Sequence, residues 1–328
     1  MMLRVWCEFL SPDKVAKNKV LKLLNRYGVT LGMAFPAGAE GKGYRRMMAA
    51  CLDAGVPVMP WALLPEACGY WPSAHNVRDF AARVENLCSW MDKKGLPAPP
   101  WFAFDMEPPL RQVRALSRAP LLHKPHQLAD MVRENRALND FDASAQTLNR
   151  LIADLHARGS RVLAAASDLV ALDLAAGARG LQRALATPVA DVAFDAVSFM
   201  LYSTTMVSFS GGLLSHRDVR WYIYSVLKDA LPALEGRAAV SLGVTAQGMI
   251  SDRPHTSPAS LLPDVQAALA AGVQDIAVFN LDGILDSEKP EAWFEMLAGA
   301  EPRKPAFSIK ADALRRGGVA VSGLLTSL

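Results

Sequence analysis

Eight short apolar runs, rich in β-branched and aromatic residues, recur along this chain, with helical patterns between most of them. The runs are Arg4–Phe9, Val29–Phe35, Val56–Trp61, Trp101–Glu107, Arg161–Ala166, Ala196–Tyr202, Ala239–Val244 and Asp275–Leu281. Helical patterning predicts helices over Pro12–Tyr27, Gly43–Ala54, Val77–Lys94, Ala143–Arg158, Ala178–Ala186, His216–Leu234, Ser260–Ala271 and Glu288–Gly299. Gly28, Gly55, Gly95, Gly159 and Gly272 stand where helices of this kind stop. Eight strand–helix units predict a single (β/α)8 TIM barrel over residues 1–300. A doubly wound open sheet is the competing arrangement. It is disfavoured because the first run leads into Ser11-Pro12-Asp13 rather than a Gly-rich phosphate turn. The Gly38–Gly43 stretch lacks the lysine and Ser/Thr of a phosphate loop and reads as a plain loop. An insertion of roughly Pro108–Asp142 follows the fourth run, with Pro120, Pro125 and a helical piece near Gln127–Arg136. Residues 301–328 fall outside the repeat as a short C-terminal extension, either a helix packed on the barrel or a link.

A chain of 328 residues, 51% hydrophobic, is long enough to bury such a core. Its net charge of +3, from 35 basic and 32 acidic residues, gives no electrostatic reason to expect nucleic acid or an anionic membrane as partner. The local basic run Arg111, Arg114, Arg118, Lys124 is explained at least as well by a solvated helix face. No apolar run approaches the length of a membrane span. Strand-like sequence begins by Leu3 with no signal-peptide pattern before it, which leaves a cytoplasmic protein and a leader-trimmed secreted form both open. Cys7, Cys51, Cys68 and Cys88 form no C-x-x-C pair and read mostly as free thiols. His75, His123, His126, His156, His216 and His255 show no H-x-H at a strand end, so no metal site and no cofactor is expected. Oligomeric state has no signature here.

In a barrel of this kind the active site lies at the C-terminal ends of the strands. The fourth run ends there in Phe104-Asp105-Met106-Glu107-Pro108-Pro109. Asp105 and Glu107 are two apart, so an extended strand points both to one face with Cα atoms roughly 6.6 Å apart. Two carboxyls that close raise each other's pKa, and one can stay protonated near neutral pH. That suits a general acid for glycoside hydrolysis. A surface acid pair at a strand end is the plainer reading.

The loop after the third run carries Trp61, Tyr70 and Trp71. Flat aromatic faces there can stack on sugar rings, or simply anchor the loop. In the sixth run Ser198, Met200 and Tyr202 alternate against Val197, Phe199 and Leu201. If the first set faces the axis, Tyr202 presents its hydroxyl at the mouth.

These pieces together resemble the family-18 glycoside hydrolases, the chitinases and endo-β-N-acetylglucosaminidases. The family's fourth-strand motif, Asp-Gly-Phe-Asp-Phe-Asp-Trp-Glu, aligns with Pro100-Trp101-Phe102-Ala103-Phe104-Asp105-Met106-Glu107. Its sixth-strand Met-x-Tyr-Asp aligns with Met200-Leu201-Tyr202-Ser203, and its eighth-strand aromatic floor with Phe279. The framework likeness covers residues 3 to about 300, but the motif match rests on some ten positions. The resemblance implies Glu107 as acid/base and attack on the anomeric carbon by the substrate's own N-acetyl oxygen. It further implies Asp105 and Tyr202 as groups that hold the acetamido, with Met200 and Phe279 beside the sugar. The departures are Pro100 and Ala103 for two motif aspartates, Ser203 for the sixth-strand aspartate, and Phe279 for the usual tryptophan.

Two other readings stand beside this one. A lysozyme-like peptidoglycan hydrolase would use a second carboxylate across the mouth, from Glu8, Asp168 or Asp282. A separation of about 5–5.5 Å from Glu107 marks a retaining nucleophile, and about 6.5–9.5 Å an inverting base. Each of these acids alone is more simply structural, and Asp168 and Asp282 can cap the helices that follow. A chitinase-like barrel that binds glycan without cutting it is the third reading, favoured by Ala103 and Ser203 and opposed by Glu107.

Overall fold

A computed structural model of the chain describes residues 1–119, 123–137, 140–246 and 253–327. Eight parallel strands close into a barrel in chain order. They are β1 (Met2–Cys7), β2 (Thr30–Phe35), β3 (Val58–Ala62), β4 (Trp101–Met106), β5 (Arg161–Ser167), β6 (Ala196–Met200), β7 (Ala238–Gly243) and β8 (Asp275–Phe279). Each apolar run holds one strand to within two residues at either end. The differences matter at the mouth. β4 stops at Met106 and β6 at Met200, so Glu107 and Tyr202 lie just past their strands rather than in them.

The expected first helix is two, α1 (Pro12–Val15) and α2 (Asn18–Arg26). α3 (Lys42–Asp53) and α4 (Val77–Lys93) follow β2 and β3. The insertion after β4 builds α5 (Leu110–Arg118) and α6 (Lys124–Arg136), and Pro120 lies outside the described residues. α7 (Phe141–Ala157) returns the chain to β5. α8 (Asp168–Ala176) and α9 (Gly180–Leu185) precede β6, and α10 (Ser203–Phe209) and α11 (His216–Leu234) precede β7. α12 (Pro258–Ala271) leads to β8, followed by α13 (Leu281–Asp286), α14 (Pro290–Ala298) and α15 (Ile309–Ser327). The loop expected over Thr245–Pro258 is described except for residues 247–252.

Period-two alternation sorts each strand's side chains between two cores. On β4, Phe102, Phe104 and Met106 face the helices, while Trp101 and Ala103 face the axis. The axial layer pairs Trp6, Trp61 and Trp101 with Ala34, Ala103, Ala165, Ala196, Ala239 and Ala277. Small residues on neighbouring strands leave the width that the indoles fill. Gly32 carries this to the limit: a Cβ there would sit 2.8 Å from the Trp6 ring.

The closed end of the barrel is ionic and aromatic. Arg4, 1% exposed, donates from Nε to Asp275 Oδ1 at 2.8 Å across the β1–β8 junction. Its guanidinium lies 4.3 Å from the Trp101 ring centroid, and that of Arg161 lies 4.2 Å from the same centroid.

Residues 301–328 hold α15, which packs on α8, α9 and α11. Close approach is possible because Gly180 faces it: a Cβ there would meet Ser322 O at 2.5 Å. Ser322 also donates to buried Asp173, which accepts from the backbone N–H groups of Leu181 and Gln182. All four cysteines are free thiols. Among the described residues no helix is long and apolar enough to cross a membrane.

Candidate active site

The C-terminal ends of the strands surround a cavity of about 220 Å³. β1 contributes Trp6 and, one residue past its end, Glu8. β3 contributes Trp61, and the loop after it Trp71. β4 brings Asp105 and Glu107, β5 Ala165 and Ser167, and β6 with its exit Met200, Tyr202 and Thr205. Val244 and Phe279 close the wall at β7 and β8, and Val113 reaches in from α5. No Lys, Arg or His is among these described lining residues.

Asp105 and Glu107 share the cavity as expected, by a different backbone route. The chain bends at once after β4, and the Glu107 N–H donates to the Asp105 carbonyl at 2.9 Å. The two carboxyls also hydrogen-bond each other. Burial, then the charges of Glu107 and Glu8, hold the Asp105 carboxyl well above the ordinary carboxylate range. Burial, then Glu8, raises Glu107 to about 7, and the Asp105 hydrogen bond opposes the rise. Asp105 Oδ1 is buried without a partner. Where the family motif carries an aspartate, Ala103 sits in the apolar axial layer.

Glu8 is the third acid of the cavity. It accepts a hydrogen bond from Tyr70 Oη at 2.8 Å. Its carboxyl is raised to about 7, chiefly by burial, with Asp282 adding to the rise and the tyrosine opposing it. Tyr70 stands at φ 70°, in the left-handed region, after the turn Glu66–Cys68. It is not a lining residue: it holds an acid rather than offering a platform. Trp61 is not on a loop but inside β3, with its ring edge-to-face to Trp6 at 5.3 Å. Trp71 packs the same way against Tyr70 at 5.3 Å.

Tyr202 lies 5.7 Å from Phe279, centroid to centroid. Burial, then Asp105, Glu107 and Glu8, lift its hydroxyl well above the ordinary tyrosine value, so it remains a proton donor in hydrogen bonds. The next residue, Ser203, turns away from the cavity. It donates to Asp264 and lies 3.1 Å from His255 Nε2, while Asp264 accepts from Arg220 Nε at 3.1 Å. A serine stands where the family motif has a carboxylate, and the carboxylate arrives from α12, behind the tyrosine.

Two expected acids are elsewhere. Asp168 opens α8 and accepts from Tyr222 Oη at 2.8 Å and Ser167 Oγ at 3.0 Å. Asp282 lies in α13 and reaches the site only through its effect on Glu8. Neither lines the cavity, because the chain has already turned into a helix at both positions. Trp6 was missed as a lining residue, although its spacing from Glu8 repeats that of Asp105 from Glu107. Val113, Thr205 and Val244 gave no signal of their own. Among the described residues no group of three or more His, Cys, Asp or Glu is arranged to hold a metal ion.

Three solved structures share this (β/α)8 barrel. The glycoside hydrolase domain of PgaB (BpsB) from Bordetella bronchiseptica superposes with a TM-score of 0.56 at 12% identity, covering 90% of this chain and 99% of that one. The chitinase of Chromobacterium violaceum gives 0.51 at 12% identity, covering 91% and 98%. The spore cortex-lytic enzyme SleL of Bacillus megaterium gives 0.52 at 10% identity, covering 93% and 75%. At this identity the likeness is one of fold. No protein-family model and no curated protein matches the chain.

Proposed function

We propose that this barrel is a glycosidase acting on an oligosaccharide or polymer that contains N-acetylhexosamine, with Glu107 as general acid/base. The observation that carries the reading is the pairing of Glu107 with Asp105 in an aromatic-walled cavity at the barrel mouth. A general acid must hold its proton at the working pH, and a carboxyl raised to about 7 does so. Glu107 protonates the glycosidic oxygen. The substrate's acetamido oxygen closes on the anomeric carbon from the other side, so no enzymatic nucleophile is consumed. Asp105 accepts from the acetamido N–H, and its free Oδ1 is available for this. Tyr202 donates to the acetamido oxygen and fixes its line of attack. Phe279, against Tyr202, forms the floor.

Glu8 supports a second reading, since among the described lining residues it is the one other carboxylate. There it would serve as the second acid of a peptidoglycan hydrolase. The two readings differ in what Glu8→Gln does: rate loss comparable to that of Glu107→Gln favours the second.

The test is product release from chitin oligomers, peptidoglycan and neutral polysaccharides, with wild type and Glu107→Gln side by side. Cleavage that the substitution lowers by about 10²–10⁴-fold fits a general acid. Full activity in Glu107→Gln removes the assignment. Binding without cleavage by wild type makes this a sugar-reading barrel that does not cut.

A further inference from the structure

The barrel interior, otherwise built from indoles and alanines, holds two hydroxyls. Ser198 on β6 and Ser241 on β7 are both fully buried, and neither lines the cavity. A hydroxyl taken from water into an apolar interior is costly unless its proton and lone pairs find partners. Ser241 Oγ accepts from Trp6 Nε1 at 2.9 Å, lies 2.9 Å from Ser198 Oγ, and hydrogen-bonds the Tyr202 hydroxyl.

A serine hydroxyl has one proton to give and two lone pairs to receive. An indole N–H can only donate, so Trp6 fills one lone pair of Ser241. Among the described residues Ser198 Oγ makes no side-chain hydrogen bond other than the one to Ser241. Its proton is satisfied only when given to Ser241, which fills the second lone pair. The Ser241 proton then has one place left, the phenolic oxygen of Tyr202. That leaves the proton of Tyr202 itself free for the cavity its ring lines.

We infer that Ser198 and Ser241 are positioning residues that fix the direction of this hydrogen-bond chain, so that Tyr202 meets the substrate as a donor and cannot turn its proton back into the barrel. This rests on the glycosidase reading and deepens it. A phenol oriented in advance need not reorganise when the acetamido oxygen moves into its line of attack. The plainer role for Ser241, an acceptor for Trp6 alone, uses one lone pair and leaves the buried hydroxyl of Ser198 without a reason.

Steady-state cleavage of the N-acetylglucosamine tetramer is measured for Ser241→Ala and Ser198→Ala, each alone and combined with Tyr202→Phe. Ser241→Ala should lower kcat about tenfold, the order of one hydrogen bond, with KM nearly unchanged. Ser198→Ala leaves the Trp6–Ser241 bond in place and frees a lone pair on Ser241. The phenol can then turn inward part of the time, and kcat should fall by a smaller factor. In the Tyr202→Phe background neither serine substitution should lower the rate further, because nothing is left to position. Equal losses in both backgrounds mark a general packing role and overturn the inference, while the glycosidase reading stands. An unchanged kcat in either serine variant alone overturns it as well. A wild type that leaves the tetramer intact overturns both the inference and the N-acetylhexosamine reading beneath it.

Discussion

Tyr70 donates its hydroxyl to Glu8 at 2.8 Å from a backbone position at φ 70°. A left-handed conformation costs a residue with a Cβ roughly 1–2 kcal/mol. Here it aims a phenol at a buried carboxyl and lowers that carboxyl's pKa against the pull of burial. Glu8 in turn raises Glu107. Glu8→Gln should therefore move the alkaline limb of the pH–rate profile to lower pH, since Glu107 loses a neighbouring charge and gives up its proton earlier. Tyr70→Phe should move the Glu8 titration to higher pH. Carbon-13 titration of the labelled carboxyls reads both shifts.

Stability should fall as pH rises. Glu8 and Glu107 move from 4.5 to about 7 on folding, and Asp105 moves in the same direction. A carboxyl with a raised folded-state pKa stabilises the fold fully below its unfolded value, and that contribution is lost as pH climbs through the folded value. The window lies between about 4.5 and about 7. Thermal melts across it should give a declining Tm, and Glu8→Gln should flatten the slope. A Tm that rises through this window would contradict the buried, protonated state of these acids.

Asp264 is fully buried beneath Ser203, Arg220 and His255. Removing one partner of such a group leaves charge behind without compensation. Asp264→Ala should cost about 3–5 kcal/mol in denaturant unfolding. Asp264→Asn should cost less, because the amide can still accept from Ser203. Since Ser203 adjoins Tyr202, the milder variant should lower kcat with little change in KM.

Gly32→Ala adds a methyl where the Trp6 ring stands 2.8 Å away. Overpacking of this kind typically costs about 1–3 kcal/mol. Trp6 also forms cavity wall, so the same change should weaken oligosaccharide binding. Urea unfolding and a binding isotherm on the one variant check both outcomes.

The barrel was legible because periodicity is a local property. β2, from Thr30 to Phe35, needs only its own sequence to read as a buried strand. The three acids at the mouth are named from sequence, Asp105 and Glu107 by their spacing at the end of an apolar strand and Glu8 by its place at the end of the first run. For Asp168 and Asp282 the sequence leaves a structural place and a place at the mouth both open, and periodicity does not decide between them; neither lines the cavity. At both positions the chain has already become helix, and the carboxyls find partners or places outside the cavity. Trp61 ends the third apolar run, so the sequence alone leaves it at the boundary of strand and loop, whereas β3 extends to Ala62 and holds it in the strand. Tyr70 looked like a platform, and only the left-handed backbone at that position turns its hydroxyl toward Glu8. The Ser203–Asp264 contact spans 61 residues, beyond any local pattern.

Arg4 and Asp275, 271 residues apart, tie the first strand to the last. A ribosome releases β1 long before its outer neighbour exists. Through most of translation that strand has one flank of backbone amides and carbonyls open to any extended peptide nearby. The hydrophilic clasp at its closed end becomes available only when β8 emerges. Crowding during synthesis, rather than heat applied to the finished molecule, is thus where this architecture is most exposed to misassembly.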